Sequence, residues 1–360
     1  MNNLPHSELP LRWKLRKEGM PEQLHVAVIG AGHMGKHHAR VYSQMPECRL
    51  VAVVDKVIDR ARKIASEYGG EPFARVADVP MELHAVTVAV PTVYHAEVAI
   101  PLLERGIHVL VEKPLAPDTA TARQLVDAAR RTGLLLQVGH SERFNPVVQA
   151  MLKMGLTPRF IETQRVSPFT FRSADVGVVF DMMIHDIDIV LHLVQQRDYT
   201  VDAVGVAVLG PCEDVANARI RFGAHAVVNM TASRLALKTD RRIRVFAPTG
   251  YLSMDYQKKS GVAIKLDANL DVIRMARERN FEDLSQMAGL DYGSLVRVEP
   301  IVVTDVEPLR AEINSFLQAV RTGGEAAVSA EEGYAAVEMA EKITHAVRES
   351  ATAWRWNELP

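Results

Sequence analysis

The feature that most constrains this chain is a glycine turn, Gly30-Ala31-Gly32-His33-Met34-Gly35, set between the mostly apolar run Leu24–Ile29 and a helical pattern that continues to Met45. Glycines at this spacing, after a strand and before a helix, belong to a parallel strand–helix–strand unit. Gly30 permits a tight turn, Gly32 lets another group approach the backbone, and Gly35 lets the helix pack closely on the strand. The N–H groups at the helix start, with His33 and Met34 among them, then face the turn and attract a pyrophosphate. Asp55 ends the next strand about 20 residues further on, where its carboxylate is expected to accept from an adenosine ribose and to repel a 2'-phosphate. NAD is therefore the expected cofactor, although Lys56 and Arg60 oppose the preference over NADP. The competing reading is a structural turn beside a surface aspartate.

Near-continuous Val, Ile and Ala in LHVAVIG, RLVAVVD, AVTVAV and HVLVEK imply strands buried on both faces of a parallel sheet. Helical patterns at roughly 57–68, 94–105 and 117–132 alternate with them, and LLLQVGH adds a strand. Residues 24–143 are thus expected to form a Rossmann domain, a doubly wound parallel sheet of about six strands. From 144 to 329 the texture changes to RFIETQRV, VDAVGVAVLG, VANARIRFG, HAVVNMTASR and RRIRVFAPTG, which predict an α+β domain with a mostly antiparallel sheet. FDMMIHDIDIVLHLV is its one clear helix before those strands, and PLRAEINSFLQAV is a helix near its end. The fold class is therefore α/β, with this second domain expected to bind substrate and to serve oligomerisation. Residues 330–360 are expected to supply a C-terminal helix packing back on the body, and 1–23 an exposed arm. Residues 258–297 show no readable periodicity, as a flexible or inserted segment would, and no site is placed there.

With 48% hydrophobic and 24% charged residues, the chain has the composition of a globular protein. Its formal net charge of -2, from 42 basic and 44 acidic residues, provides no electrostatic footprint for nucleic acid or an anionic membrane. A small-molecule partner is favoured instead. Cys48 and Cys212 are far apart and form no CxxC pair, which argues against a disulfide framework or a structural zinc site and fits a reducing cytoplasm. No stretch approaches the roughly 18 apolar residues of a membrane helix.

Three groups of residues carry candidate chemistry. Glu112-Lys113-Pro114 ends a parallel strand, where such sheets place their ligands, and Lys113 is suited to stabilise a developing alkoxide. The alternative for a lysine at a strand end is a solvated cation. The helix beginning near Phe180 carries Asp181, His185, Asp188 and His192 at spacings of four, three and four. At 100° per residue these fall within roughly a 60° stripe, so a polar line runs along an apolar helix. An aspartate one turn before a histidine can orient the ring and tune its basicity, giving a general base for an alcohol proton. A satisfied core histidine and a metal site built from Asp181, His185 and Asp188 are the alternatives. His140 to Pro146 closes the first domain, and Arg143 and Asn145 are expected substrate hydrogen-bonders, or else part of a charged hinge. Pro91, Thr92 and His95 follow another strand end and are expected, with Glu112 and Lys113, to line the cofactor; Thr92 alternatively caps a helix.

In their order along the chain, GAGHMG, Asp55, AVPTVYH, VEKPL and the Gly177, Asp181, His185, Asp188 pattern resemble the Gfo/Idh/MocA family of oxidoreductases over nearly the whole chain after the arm. The resemblance implies that Lys113, Asp181 and His185 form the catalytic group, with no metal, and that the second domain is an open-faced sheet often used in dimer or tetramer contacts. GHSERFNPVV, DVGVVFDMMIHDIDIVLHL and VEPLRAEINSFLQAV further resemble the branch that oxidises UDP-N-acetylglucosamine at carbon 3. That branch implies an aminotransferase acting on the keto product, towards lipid A or surface polysaccharide. A branch acting on UDP-N-acetylglucosaminuronic acid, an inositol or free-sugar dehydrogenase, and a regulatory NAD-binding protein without activity remain the alternatives.

Overall fold

In the computed structural model, which describes residues 21–80, 82–170, 176–265, 298–301, 303, 305–350 and the strand residues 354–355, the chain forms two units. One consists of residues up to Phe144 with Val306–Glu341, the other of Asn145–Asp305 with the residues from Lys342 on. The expected arm at 1–23 lies outside the described residues apart from its last three, and so do residues 266–297.

The first unit holds a sheet of β1 (Leu24–Ile29), β2 (Cys48–Val54), β3 (Glu71–Phe73), β4 (Ala85–Val88), β5 (His108–Glu112) and β6 (Leu136–Gly139). Its order is β3-β2-β1-β4-β5-β6 and every pairing is parallel. Helices α1 (His33–Ser43), α2 (Ile58–Tyr68), α3 (His95–Glu104) and α4 (Thr119–Thr132) alternate with the strands. This is the expected Rossmann arrangement. The strand order reverses between β1 and β4, so their carboxyl ends open the crevice where such sheets bind ligands. The strand reading misses β3 because three residues carry no periodicity. Its Pro72 is tolerated because β3 is an edge strand.

A helix from the far end of the chain completes this core. α7 (Pro308–Thr322) begins with proline at its first turn and stops at Gly323, whose φ of 70° is left-handed. Leu309, Ile313, Phe316, Leu317 and Val320 form its apolar stripe and join the cluster of Leu24, Val26, Val28, Val41 and Tyr42. The sequence reading groups this helix with residues 144–329. Helical periodicity identifies a buried stripe but not the core it enters.

The second unit is built on β7 (Phe160–Val166), β8 (Thr200–Ala207), β9 (Val215–Phe222), β10 (Ala226–Ser233), β11 (Asp240–Ala247), β12 (Gly250–Asp255), β13 (Ser260–Lys265), β14 (Glu299–Ile301) and β15 (Trp354–Arg355). Their order is β14-β13-β12-β11-β7-β10-β9-β8-β15, antiparallel except for β7 with β10 and β8 with β15. β13 falls inside the stretch 258–297, which shows no periodicity. Along β9, Ala216, Ala218, Ile220 and Phe222 are buried while Asn217, Arg219 and Arg221 point to the opposite, open face. On the buried side α5 (Pro146–Lys153) lies against β12, and α6 (Ile184–Val194) against β7 and β10. α5 is absent from the sequence reading, although Asn145-Pro146 is a helix-start signal: Asn145 Oδ1 accepts from the Val147 N–H at 3.1 Å.

The helix read from Phe180 begins differently. Val179–Met183 form a π-helical turn, and the α-helical geometry of α6 starts only at Ile184. The wider i→i+5 turn means that the 100° spacing behind the expected polar stripe does not hold across Asp181. No helix among the described residues is long and apolar enough to cross a membrane.

Phe316 is completely buried in the first unit's core. Phe316→Ala is expected to lower unfolding free energy by about 3–5 kcal/mol, measured by urea denaturation; a loss below about 1 kcal/mol would show that α7 is not part of this core.

Candidate active site

The glycine turn meets the backbone more closely than any side chain would allow. Gly30 has a φ of +99°, and a Cβ there would lie 2.5 Å from the Ala89 carbonyl oxygen, so the end of β1 is pressed against the residue following β4. A Cβ on Gly35 would lie 1.8 Å from the Gly30 oxygen. At Gly32 a Cβ would meet nothing within 4 Å, so the protein itself places no steric demand on that position. Gly32 precedes α1 and no side chain caps that helix. An open glycine at an uncapped helix start is what close approach by a pyrophosphate requires. His33 and Met34 form the first turn, and the His33 ring meets the His37 ring edge-on at 4.7 Å.

Asp55 ties the second strand to this turn. Its Oδ2 accepts from the Ala31 N–H and its Oδ1 from the Val57 N–H, both at 2.8 Å. The carboxylate therefore shapes the loop as well as standing where a ribose is expected. Lys56, one of the two cations that oppose its charge, lies over the Tyr94 ring at 5.4 Å.

Beneath the end of β5 lies a buried polar chain that the sequence reading did not identify. His38 Nε2 and Glu112 Oε1 are 2.7 Å apart, with His38 fully buried and Glu112 7% exposed. The other carboxylate oxygen accepts from the Lys113 N–H at 3.3 Å. On its far side the His38 ring meets Thr87 Oγ1 at 3.3 Å, and Thr87 meets the Tyr42 hydroxyl at 2.8 Å. Burial by itself would push the Glu112 carboxyl up, but the hydrogen bond and charge of His38, followed by the charge and N–H of Lys113, hold it below the usual carboxylate range. An ionised Glu112 can only accept, so His38 Nε2 carries the proton between them. The readable signals were a histidine one turn before Tyr42 on the inner face of α1 and a glutamate closing an otherwise apolar strand.

His95 is 1% exposed, and its ring ties two strand-end loops together. Nδ1 lies 3.1 and 3.2 Å from the carbonyl oxygens of Pro114 and Leu115, and Nε2 lies 3.0 Å from that of Val90. Burial pushes its pKa down against those carbonyls and the charge of Glu112. Both ring nitrogens are thus turned to the protein between the loop of Pro91 and Thr92 and the loop of Lys113. Thr92 opens a short 3-10 turn, Thr92–Tyr94, without a side-chain cap.

Arg143, 3% exposed, donates from Nη1 to Glu332 Oε1 at 2.9 Å. Glu332 and Ser329 form a reciprocal box at the start of α8 (Ala330–Glu349), with the Ser329 N–H donating to Glu332 Oε2 at 2.8 Å and the Glu332 N–H to Ser329 Oγ at 3.2 Å. Arg143 thus grips the glutamate of the box that starts α8, and Asn145 caps α5.

In the second unit Asp181 lies within the π-turn, and His185 follows on the first turn of α6. Both are half-buried, whereas Asp188 is 1% exposed, so the expected stripe divides between surface and core. Asp186, off that stripe, is gripped from the sheet: Arg165 on β7 donates to it through two bonds, of 3.1 and 2.9 Å, with both side chains buried. This fork fixes the residue next to His185 to the centre of the sheet. Among the described residues no three His, Cys, Asp or Glu side chains form a metal-ligating group.

Residues 24–140 match the oxidoreductase family with an NAD-binding Rossmann fold, and residues 155–253 match the GFO/IDH/MocA C-terminal domain. The UDP-N-acetylglucosamine 3-dehydrogenase of Acidithiobacillus ferrooxidans is 33% identical over 298 residues, which cover 82% of this chain and 88% of that protein. A solved structure of that enzyme matches with a TM-score of 0.79 at 30% identity, covering 90% of this chain and 98% of the other. The inositol 2-dehydrogenase of Rhizobium meliloti is 25% identical over 340 residues, 89% of this chain and 96% of that protein.

Because Glu112 titrates lower in the fold than at its free value of about 4.3, it stabilises the folded chain above that pH and the contribution is lost as pH falls through the lower folded value. Glu112→Gln is therefore expected to flatten the decline of the urea midpoint between about pH 5 and 3. His38→Leu, which leaves the buried carboxylate without its donor, is expected to cost about 3–5 kcal/mol at pH 7. An unchanged acid limb in the Glu112 variant would show that this carboxyl is not held ionised by the fold.

Proposed function

Because the chain belongs to the Gfo/Idh/MocA family of NAD-binding oxidoreductases, we propose that it oxidises the carbon-3 hydroxyl of UDP-N-acetylglucosamine to the 3-keto sugar nucleotide. The observation carrying this reading is the similarity to a UDP-N-acetylglucosamine 3-dehydrogenase across 88% of that enzyme's length. NAD, when bound, supplies the hydride acceptor. The chain's own residues do the rest. Gly30, Gly32, His33, Met34 and Gly35 hold the pyrophosphate, Asp55 holds the ribose, and Pro91, Thr92, His95 and Glu112 shape the nicotinamide side.

His185 takes the hydroxyl proton as general base, and Asp181 orients its ring. Lys113 contributes its ammonium to the developing alkoxide, a charge that stabilises the transition state more than the neutral alcohol. The Glu112 carboxylate accepts the Lys113 N–H, and so fixes the backbone from which that ammonium extends. Arg143 and Asn145 bind the substrate in addition to their structural bonds. The protein acts as a homo-oligomer, and an aminotransferase consumes the keto product.

The substrate is tested by NAD reduction with UDP-N-acetylglucosamine, its uronic acid and myo-inositol. UDP-N-acetylglucosamine is expected to give the highest kcat/KM, by about 10²-fold or more over an inositol that lacks the nucleotide contacts. A preference for myo-inositol would overturn the assignment, and reduction with none of a broad sugar-nucleotide panel would indicate a binding protein. His185→Ala is expected to lower kcat by about 10²- to 10⁴-fold while NADH affinity, measured by fluorescence titration, stays unchanged.

A further inference from the structure

The π-turn that carries Asp181 has no side-chain cap of its own, and the sheet supplies one. Val178 and Val179 are fully buried, at a helix start where no preceding carbonyl can take their N–H groups. A single residue takes both. The Val178 N–H donates to the backbone oxygen of Glu213 at 2.9 Å, and the Val179 N–H to Glu213 Oε1 at 3.2 Å.

Glu213, 9% exposed and just ahead of β9, is held by Arg234 at the end of β10. Arg234 Nη2 donates to the Glu213 carbonyl at 3.1 Å and to the Val176 carbonyl at 2.7 Å. Its Nε is 2.8 Å from Asp214 Oδ1, and both side chains are buried. Asp214 Oδ2 in turn accepts from the Val208 and Leu209 N–H groups, each at 2.7 Å. The guanidinium thus closes a clasp around residues 176–179 from the ends of two neighbouring strands.

Gly177 sits inside this clasp. A Cβ there would fall 2.1 Å from Glu213 Oε1 and 2.4 Å from its Cδ. Its φ is outside the left-handed region, so the backbone does not call for glycine at this position; the carboxylate does. A side chain at 177 would drive the Glu213 carboxylate away from Val179, and the Gly177 carbonyl accepts the Asp181 N–H at 3.0 Å, so the residue inside the clasp is bonded to the turn that carries Asp181.

We propose that Glu213 is a positioning residue for the Asp181–His185 turn, that Arg234 sets it, and that residue 177 is glycine because the Glu213 carboxylate occupies a side chain's place. The proposal rests on the reading that Asp181 and His185 carry the proton chemistry. Misplacing a reacting group by about 1 Å can cost about 10²-fold in rate.

The test compares Glu213→Ala, Glu213→Gln, Gly177→Ala and the double variant Gly177→Ala/Glu213→Ala. The readouts are amide hydrogen exchange at Val179, NADH affinity, and kcat with UDP-N-acetylglucosamine. Glu213→Ala and Gly177→Ala are each expected to speed Val179 exchange at least about tenfold and to lower kcat about 10- to 100-fold, with NADH affinity unchanged because the glycine turn is untouched. Glu213→Gln, which keeps an acceptor oxygen, is expected to recover kcat to within about threefold of wild type. In the double variant the clash is gone, so it is expected to be no worse than Glu213→Ala alone. Wild-type Val179 protection in Glu213→Ala, or additive losses in the double variant, would overturn the proposal. Failure of the wild-type chain to oxidise UDP-N-acetylglucosamine would instead overturn the assigned reaction, leaving the exchange measurements to decide the clasp.

Discussion

The Gly35 backbone lies against the Gly30 carbonyl at a distance that excludes any side chain, and Gly30 lies against the Ala89 carbonyl in the same way. Those two approaches bring α1 down onto β1 and bring the ends of β1 and β4 together. The crevice at the strand-order reversal, the uncapped helix start and the seat of Asp55 all follow from them. A methyl group at either glycine would separate elements whose neighbours, from Leu24 to Phe316, form one continuous core. The backbone contact is therefore a condition for both the fold and the cofactor site.

Buried charges then anchor the backbone beside the residues proposed to react. Glu112 is ionised beneath Lys113 because His38 donates to it, and Thr87 and Tyr42 continue that chain into the sheet. In the second unit Asp186, next to His185, is forked by Arg165, and the turn carrying Asp181 is capped by Glu213 under the hold of Arg234. Removing one member of the His38–Glu112 or Arg165–Asp186 pair leaves a buried group without its partner, which is costly whether or not the intact pair adds net stability. Both units place a polar anchor one or two residues from a group assigned to the chemistry.

Several residues expected at the site make structural bonds of their own. Asp55 holds the Ala31 N–H as well as standing at the expected ribose position, and the ring of His95 is occupied by carbonyls of two loops. Arg143 is engaged by Glu332 and Asn145 caps α5. Each stands at a strand or domain end, where its side chain bonds the neighbouring loop or helix.

Much was determined by local pattern alone. Glycine spacing, continuous apolar strands and strict alternation specify the parallel sheet, the antiparallel sheet and the cofactor turn, because each depends on residues close together in the chain. The short edge strand Glu71–Phe73 escaped because three residues show no period, and the π-turn at Val179–Met183 escaped because its wider winding depends on long-range contacts rather than on composition. Which core receives α7, which carboxylate His38 meets and what fills the side-chain space at Gly177 depend on partners brought from 36 to more than 250 positions away. Only the tertiary structure decided these, since a buried charge or a filled side-chain space is a property of what folds against it.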